Sequence, residues 1–289
     1  MQAHAEQAHL FLSAQILSTK SRRRIAPPHR RMSESRPHGQ QQILLLTATI
    51  TPPAGVPNLV VTDPDSRLRD YERALAYYAT LIGRSFDSIV FCENSDASLV
   101  SLRRVADGSG QGSAIEMMSF QGTDHPSFYG RAYGEFRLID HAMDHSQILR
   151  NARNPVIWKC TGRYLVRNMR YIVADPPRSF DIYCNKRDFP HRWCDMYLLA
   201  WNRRGYETML RGISPRVREG PGELRPPETL FRTILDEHEE RLTIVPRFRH
   251  VPLIDARKGT DGISYSGAWW DKKILLRNVA LRVAPWLWI

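Results

Sequence analysis

Short apolar runs alternate with helical stretches between residues 43 and 161, and this alternation restricts the chain to a small group of folds. Helical spacing of apolar residues predicts helices at 69–82 and at about 134–149. The order strand, helix, strand, strand, helix, strand predicts an α/β fold with an open mixed sheet flanked by helices. Ligands of such sheets bind beyond the carboxyl ends of the strands. The predicted strands are 43–50, 88–93, 114–120 and 156–161.

The pattern is looser beyond residue 168. A strand is predicted at 181–184 and a helix at 193–211. The stretch 214–227 holds four prolines and two glycines, which is typical of a surface loop. The last residues, 271–289, are basic and apolar and predict an amphipathic helix. That helix could pack on the domain or lie on an anionic membrane surface, because both arrangements use one amphipathic pattern.

Residues 1–42 form a basic leader that we expect to be disordered. The alternative is that Met32 is the true start of the protein. The leader holds seven basic and two acidic residues, a net charge of +5, out of +11 for the whole chain. The remaining 247 residues therefore carry +6. A body this mildly basic suits phosphate-bearing partners but does not require nucleic acid.

Two further observations limit the class of protein. No run of 18 apolar residues occurs, so no membrane-spanning helix is predicted. The four cysteines lack the C-x-x-C spacing of a zinc or redox site, and we expect them to be reduced thiols in a cytosolic protein.

Glu135 is the most informative carboxylate of the sequence. It shares the predicted buried face of its helix with Ile139 and Met143, and an inward carboxylate is costly unless it is hydrogen-bonded or functional. The structural alternative is a cap or a pair with an arginine. His141 and His145 lie off that face and lack the glutamate of a zinc-protease motif, so a solvated helix surface is predicted for them.

A lysine and an arginine flank the end of the strand 156–161. Lys159 lies on an otherwise apolar strand, and Arg163 follows Gly162, where a ligand could approach the backbone. Together they could hold a diphosphate, as a point charge and as a bidentate fork. The structural alternative is a salt bridge from this region to Glu93 or Glu135, and the two interpretations are compatible.

Four other acidic residues are less specific. Asp63 and Asp65 have the spacing of a D-x-D metal pair but precede the first helix, which favours a turn. Asp195 and Glu228 could deprotonate an acceptor hydroxyl, although a surface role is the better interpretation for each of them taken singly. No G-x-G-x-x-G, Walker A, G-x-S-x-G or kinase motif is present. The residues alone therefore indicate an α/β enzyme with a basic cleft that contains carboxylates.

Taken in order, several segments resemble motifs of small bacterial glycosyltransferases encoded with surface-polysaccharide and lipopolysaccharide genes. The resemblance covers about 43–270 and implies a single main domain with a GT-A-like, Rossmann-related fold. It also implies transfer of a sugar from a nucleotide-diphosphate donor to a hydroxyl of a surface-glycan or lipid-linked acceptor. The matching segments are 45–50, 63–71, 89–95, 130–135, 159–164 with Asn168, and 193–197.

The same resemblance assigns residues to the pocket. It makes Glu93, Glu135, Lys159, Arg163 and Asp195 pocket candidates. If the reaction inverts, a base must take the acceptor proton, and for that role we rank Asp195 first, then Glu228 and Glu135. The donor and its diphosphate would be bound by Thr47, Glu93, Asn94, Lys159 and Arg163.

The strand end where a GT-A enzyme usually places D-x-D reads Lys-Cys-Thr-Gly-Arg here. We therefore hypothesise that these cations replace the metal, so that no cofactor is needed, with Mn²⁺ or Mg²⁺ as the alternative. We expect a cytoplasmic enzyme, peripheral at the inner face of the membrane, with no nucleic-acid partner. The rival functions are a nucleic-acid-binding protein and a non-catalytic protein that binds sugar nucleotides.

Overall fold

A seven-stranded mixed sheet forms the centre of the protein, in a computed structural model that describes residues 40–189, 191–220, 223, 225–256 and 268–284. The predictions made for 1–39 and for 285–289 lie outside these residues. The strands are β1 Gln42–Ala48, β2 Ser88–Glu93, β3 Ile115–Ser119, β4 Val156–Thr161, β5 Leu165–Val166, β6 Ile182–Arg187, β7 Trp193–Trp201, β8 Ile244–Val245 and β9 Ile254–Asp255.

Helices cover both faces of this sheet. They are α1 Pro64–Ala79, α2 Val100–Gly108, α3 Gly130–His145, α4 Gln147–Asn151, α5 Met169–Ala174, α6 Pro227–Glu237 and α7 Ala268–Val283. Short helical turns lie at Gly112–Ala114, Ser127–Tyr129, Arg203–Gly205, Tyr206–Leu210 and Ser214–Arg216. The predicted α/β class, with an open mixed sheet flanked by helices, is confirmed.

The strand order is β3-β2-β1-β4-β7-β6-β8. Strands β1 to β4 are parallel, whereas β7 runs antiparallel to both β4 and β6. The chain leaves β1 toward β2 on one side and later returns to its other side as β4. The order therefore reverses between β1 and β4, and this reversal is the topological switch point of the sheet.

The pleat of β1 explains why the sheet is covered on both sides. All seven of its residues are buried. Leu44 and Leu46 point into a core shared with α1, α2 and α5. Ile43 and Leu45 point into a second core shared with α3 and α6. A strand that is buried on both faces reads as a continuous apolar run, which is why its position could be predicted from sequence.

The helix predicted at 193–211 is wrong, because residues 193–201 form strand β7. This strand is interior, paired with β4 and β6, and most of its side chains are buried. An interior strand carries apolar residues on both faces, so its sequence lacks the alternation that distinguishes a strand from a buried helix. The correction matters for the site, since it moves Asp195 from a helix to the sheet.

Two other boundaries differ from their predictions. Helix α3 begins at Gly130, four residues earlier than expected, and ends at His145. Ser146 then caps a new short helix by accepting a hydrogen bond from the Leu149 amide at 3.1 Å. Such local capping competes with continuation of the longer helix.

The four cysteines are free and buried. Burial raises the pKa of Cys160 to about 11, so its thiol is protonated at neutral pH. Among the described helices, none is both long enough and apolar enough to cross a bilayer.

Candidate active site

The candidate site lies at the switch point, where β1 and β4 end side by side. Thr47 is paired in register with Thr161. Helix α3 crosses this edge and places the carboxylate of Glu135 against both threonine hydroxyls, which donate hydrogen bonds of 2.9 and 3.3 Å to its Oε1. The predicted inward orientation of Glu135 is therefore what the geometry shows.

Lys159 completes this arrangement as the cation of a buried ion pair. Its ammonium lies 2.5 Å from Glu135 Oε1 and donates to the Met196 carbonyl at 2.7 Å. The Lys159 side chain is only 1% exposed, whereas that of Glu135 is 21% exposed. The structural alternative considered for Lys159, a salt bridge to Glu135, is thus present. Glu135 is thus the more exposed partner of the pair.

Two glycines make this close packing sterically possible. A Cβ atom on Gly162 would lie 2.8 Å from the Thr47 carbonyl oxygen, to which the Gly162 amide donates a hydrogen bond. The space that the sequence suggested for a ligand is therefore taken by the neighbouring strand end. Gly130, at φ +80°, starts α3, and a Cβ there would collide with the carboxylate of Glu219.

Glu93 and Asn94 are buried beside this edge, and they hold loops together. Glu93 has no exposed surface and accepts hydrogen bonds from the Ile50, Ser95 and Ala97 amides and from the Ser95 and Ser119 hydroxyls. A carboxylate satisfied in this way stabilises the loops after β1 and β2. The structure thus gives Glu93 a structural role, and donor binding by Glu93 stays a prediction.

Asn94 is 2% exposed and accepts a hydrogen bond from the Thr49 hydroxyl at 2.7 Å. Its amide nitrogen lies close to Gly134 of α3. Asn94 thus links the end of β2 to the helix that carries Glu135.

Arg163 lies directly after the β4 turn and is 5% exposed. Its guanidinium covers the ring of Tyr164, 5.0 Å from the ring centroid. Arg163 lies four residues after Lys159, at the edge where β4 ends, and diphosphate binding by it stays a prediction.

Asp195 reaches the same edge through the antiparallel direction of β7. Its Oδ2 accepts hydrogen bonds from Arg187 at 2.5 and 3.1 Å and from the Asn185 amide at 2.7 Å. Arg187 also lies over the ring of Trp193. The sequence identified Asp195 but offered no signal for Arg187, because the pairing depends on the register between β6 and β7.

Glu228 occupies the first turn of α6, where the helix dipole favours an acidic group. Burial raises the pKa of Glu228 above its usual 4.5, and the nearby carboxylates of Asp195 and Glu135 raise it further. Arg131 acts in the opposite direction. Glu228, Asp195 and Glu135, predicted separately, therefore interact as one group of carboxylates.

Arg131 and Glu219 interact electrostatically with Glu228 and so belong to this group of charges, and neither residue was predicted from the sequence. Burial also raises the pKa of Glu219, with an opposing effect from Arg131. Arg131 lies four residues before Glu135 on α3, so the two could have been placed on one helix face from spacing alone.

The remaining sequence candidates lie elsewhere. Asp63 caps α1 by accepting a hydrogen bond from the Ser66 amide, as its predicted turn implies. His141 stacks on Phe120 at 3.6 Å and, with His145, lines an open groove of about 540 Å³ beside β3. The helix surface that was predicted to be solvated is therefore partly covered, because the His141 ring stacks on Phe120. In the described part of the chain, no group of three metal-ligating side chains occurs.

Comparison with known proteins leaves the family open. No protein-family model matches the sequence, and no curated protein matches it. Among solved structures, the chain is similar to a protein from Desulfovibrio desulfuricans G20 described as a nucleotide-diphospho-sugar transferase. That match has 12% identity and a TM-score of 0.42, and covers 83% of this chain and 96% of the other.

A second solved structure is a protein from Bacillus anthracis described as a glucose-1-phosphate thymidylyltransferase, in complex with sucrose. The identity is 11% and the TM-score 0.39, with 84% of this chain and 96% of the other covered. Similarities this low carry no argument about activity. Any inference about the activity therefore depends on the geometry of the site itself.

Proposed function

We propose that the protein is a glycosyltransferase that moves a sugar from a nucleotide-diphosphate donor to a hydroxyl of a surface-glycan or lipid-linked acceptor. The observation that carries the proposal is the convergence of Glu135, Asp195 and Glu228 with buried cations at the switch point of the sheet. Switch points of α/β sheets are where nucleotides bind, and sugar transfer needs both an acid–base group and cations for the leaving diphosphate.

The carboxylates and the arginines of the site have separate roles in this proposal. Glu228, with its raised pKa, takes the proton of the acceptor hydroxyl. The acceptor oxygen then forms a bond to the anomeric carbon while the bond from that carbon to the diphosphate breaks. The leaving nucleoside diphosphate carries away the electron pair, and arginines at the sheet edge stabilise its negative charge.

Asp195 ranked first as the base from sequence, but its Oδ2 is occupied by Arg187 and Asn185. We therefore assign Asp195 to positioning and rank Glu228 first. Glu135, paired with Lys159, holds the ends of β1 and β4 together through Thr47 and Thr161. Arg163 remains the diphosphate-binding candidate at the end of β4.

The donor prediction is tested by a thermal-shift panel of UDP, GDP, CDP and dTDP. One nucleotide at about 100 times its Kd is expected to stabilise the protein by about 2.7 kcal/mol, because it binds the folded state alone. The shift should be weaker in Arg163→Gln and unchanged in Arg167→Gln, an exposed arginine beyond the same turn. Absence of a shift with every nucleotide, together with tight binding of DNA, would instead favour the nucleic-acid alternative.

Metal independence is a separate prediction. With the donor identified, we expect sugar transfer to continue undiminished in excess EDTA, since arginines supply the positive charge. Loss of turnover in EDTA that is restored by Mn²⁺ would contradict this expectation. It would indicate instead that a pair of acidic residues binds a metal ion.

We propose that the protein associates with a membrane surface through helix α7. Helix α7 exposes Leu275, Leu276, Val279 and Val283, all at least half exposed, within one 100° arc of its surface. The helix sequence also holds four basic residues and one acidic residue. An exposed apolar stripe on a basic helix suits the surface of an anionic bilayer.

We expect the full chain to sediment with vesicles of phosphatidylcholine and phosphatidylglycerol, and much less with phosphatidylcholine alone. Replacing Leu276 and Val279 with aspartate should weaken binding at least about tenfold, because each buried side chain contributes roughly 1.5–3 kcal/mol. Val100→Asp, at a similarly exposed position on α2, is the matched control. Equal sedimentation of both variants would contradict the assignment of this face.

A further inference from the structure

Two basic side chains are buried between the end of β6 and helix α6. Lys186, on β6, is 1% exposed, and Arg232, on α6, is 4% exposed. Neither has a part in the proposed reaction described above. Lysine and arginine are almost never fully buried unless they are paired. Their burial therefore requires partners of opposite charge close by.

Asp236 of α6 is the partner that both cations share. The Lys186 ammonium donates a hydrogen bond to Asp236 Oδ1 at 2.9 Å, and Arg232 Nε donates to both carboxylate oxygens at 2.8 and 3.1 Å. Lys186 also lies 2.5 Å from Glu239, and Arg232 lies 2.9 Å from Asp188, the residue after β6. We call Lys186, Arg232 and Asp236 the β6–α6 network, because these three residues join the strand to the helix.

One further contact connects this network to the candidate active site. Arg232 donates a hydrogen bond to the backbone carbonyl of Arg187 at 3.0 Å. The side chain of Arg187 in turn holds the Asp195 carboxylate at 2.5 and 3.1 Å. Arg187 is thus bound to α6 through its backbone and to Asp195 through its side chain. A shift of α6 along β6 would break the contact with Arg232.

Glu228 lies on the same face of α6 as the network. Residues 228, 232 and 236 follow the spacing i, i+4 and i+8, which places their side chains along one side of the helix. The other contact that fixes α6 is apolar, since the Phe231 ring lies 5.3 Å from the ring of Phe136 on α3. These contacts set the depth and the rotation of α6 and therefore the position of Glu228.

A buried network of this kind contributes less to stability than its number of contacts suggests. Desolvation of the charges offsets much of their attraction, and apolar replacements of similar volume are often neutral or stabilising. The geometry is nevertheless demanding, because each charge-assisted hydrogen bond needs its acceptor at a defined distance and direction. Buried ionic groups can in this way specify the register between the elements that they join. The β6–α6 network therefore suits positioning better than folding.

We infer that the β6–α6 network positions Glu228 for catalysis, with Arg232 as its central positioning residue. Arg232 contacts α6 through Asp236 and β6 through the Arg187 carbonyl, so it links the helix that carries Glu228 to the strand that holds Asp195. The inference rests on the proposed function, since it takes Glu228 as the base. The placement of Glu228 by the network can nevertheless be measured without turnover.

The main test replaces the network with apolar side chains of similar volume, in the triple variant Lys186→Met, Arg232→Met and Asp236→Leu. The other charged groups in contact with the network are at least 32% exposed, so water can solvate them. We expect a Tm equal to or above that of the unsubstituted protein. We expect kcat for sugar transfer to fall at least about tenfold with little change in KM, because a displacement of about 1 Å can cost on the order of 10²-fold in rate.

Two matched variants make this result specific. Glu237→Gln, at the next position of α6, removes an exposed ion pair with Arg216 and should change neither kcat nor Tm. Arg232→Lys keeps the charge but loses the planar fork, so its kcat should lie between those of the unsubstituted protein and the triple variant. Full kcat in the triple variant would overturn the inference. Failure of the triple variant to fold would also contradict it, because the network would then serve folding.

A titration separates this inference from the proposed function. Burial raises the pKa of Glu228 above 4.5, Arg131 opposes that shift, and Asp195 and Glu135 add to it. Release of α6 in the triple variant should expose Glu228 and bring its pKa back toward 4.5, whereas Glu237→Gln should leave it unchanged. Carbon-13 NMR of labelled glutamate measures this pKa.

The two readouts together assign each failure to its cause. A pKa of Glu228 that falls in the triple variant, in a protein that transfers no sugar, would support the network while contradicting the proposed function. Sugar transfer that needs Glu228, with kcat and pKa both unaffected in the triple variant, would support the proposed function and overturn this inference.

Discussion

Replacing Glu228 with glutamine is expected to lower kcat by roughly 10²–10⁴-fold, the usual contribution of a general base. The same change should raise the Tm at neutral pH. Burial disfavours the ionised carboxylate of Glu228 in the folded protein, and glutamine removes that charge without changing the size of the side chain. Transfer assays and thermal unfolding of the same preparations measure both effects.

The pH dependence of the Glu228→Gln effect follows from the direction of the pKa shift. Since the pKa of Glu228 is raised in the folded state, the stability it contributes is present below its usual 4.5 and is lost as the pH rises through the folded value. The variant should therefore gain stability over the unsubstituted protein above that value and lose this advantage in acid. The rate of the unsubstituted enzyme should fall in acid through a pKa above 4.5, as the base becomes protonated.

Glu240→Gln is the control for this experiment, because Glu240 is exposed on the turn after the same helix. It should change neither activity nor Tm. A Glu228→Gln variant with full activity would exclude Glu228 as the base. Asp195, the first choice from sequence, would then be tested with Asp195→Asn.

Replacing Glu135 with glutamine is expected to cost roughly 3–5 kcal/mol of folding free energy, the range found when one partner of a buried ion pair is removed. The Lys159 ammonium, 1% exposed and 2.5 Å from the Glu135 carboxylate, would remain buried with neutral partners only. In a domain of this size each kcal/mol corresponds to about 2–4 °C, so the Tm should fall by on the order of 10 °C.

The partner substitution sharpens this test. Lys159→Met should cost less than Glu135→Gln, because the Glu135 carboxylate is partly exposed and water can solvate it. The double variant should recover much of the loss, since neither charge is then left alone. Glu207→Gln, which breaks an exposed pair with Arg211, provides a control with an expected effect below about 1 kcal/mol. An equally small effect of Glu135→Gln would show that the Glu135–Lys159 pair contributes little to folding.

Several features of this protein could be derived from the sequence alone, because they depend on local chemistry. The strands 88–93 and 156–161 were placed correctly, since a buried strand in a parallel sheet is a short apolar run with polar ends. The inward orientation of Glu135 followed from helical spacing, and the turn at Asp63 followed from its position before a helix start. These predictions needed no information about distant parts of the chain.

The other features depend on contacts between residues far apart in sequence. Whether 193–201 forms a helix or a strand was decided by its pairing with β4 and β6, because an apolar run buried on both faces fits either element. That pairing also determined that Asp195 meets Arg187, and that Glu228 interacts with two other carboxylates.

The charges show the same division. Composition established only that the body of the protein is mildly basic. The tertiary structure paired two of those cations with buried carboxylates, Lys159 with Glu135 and Arg187 with Asp195. The sequence by itself therefore determined the four parallel strands β1 to β4 and the types of residue at their ends. Only the fold decided which charges are paired, because Coulomb energies depend on distance and burial, and neither follows from the order of residues along the chain.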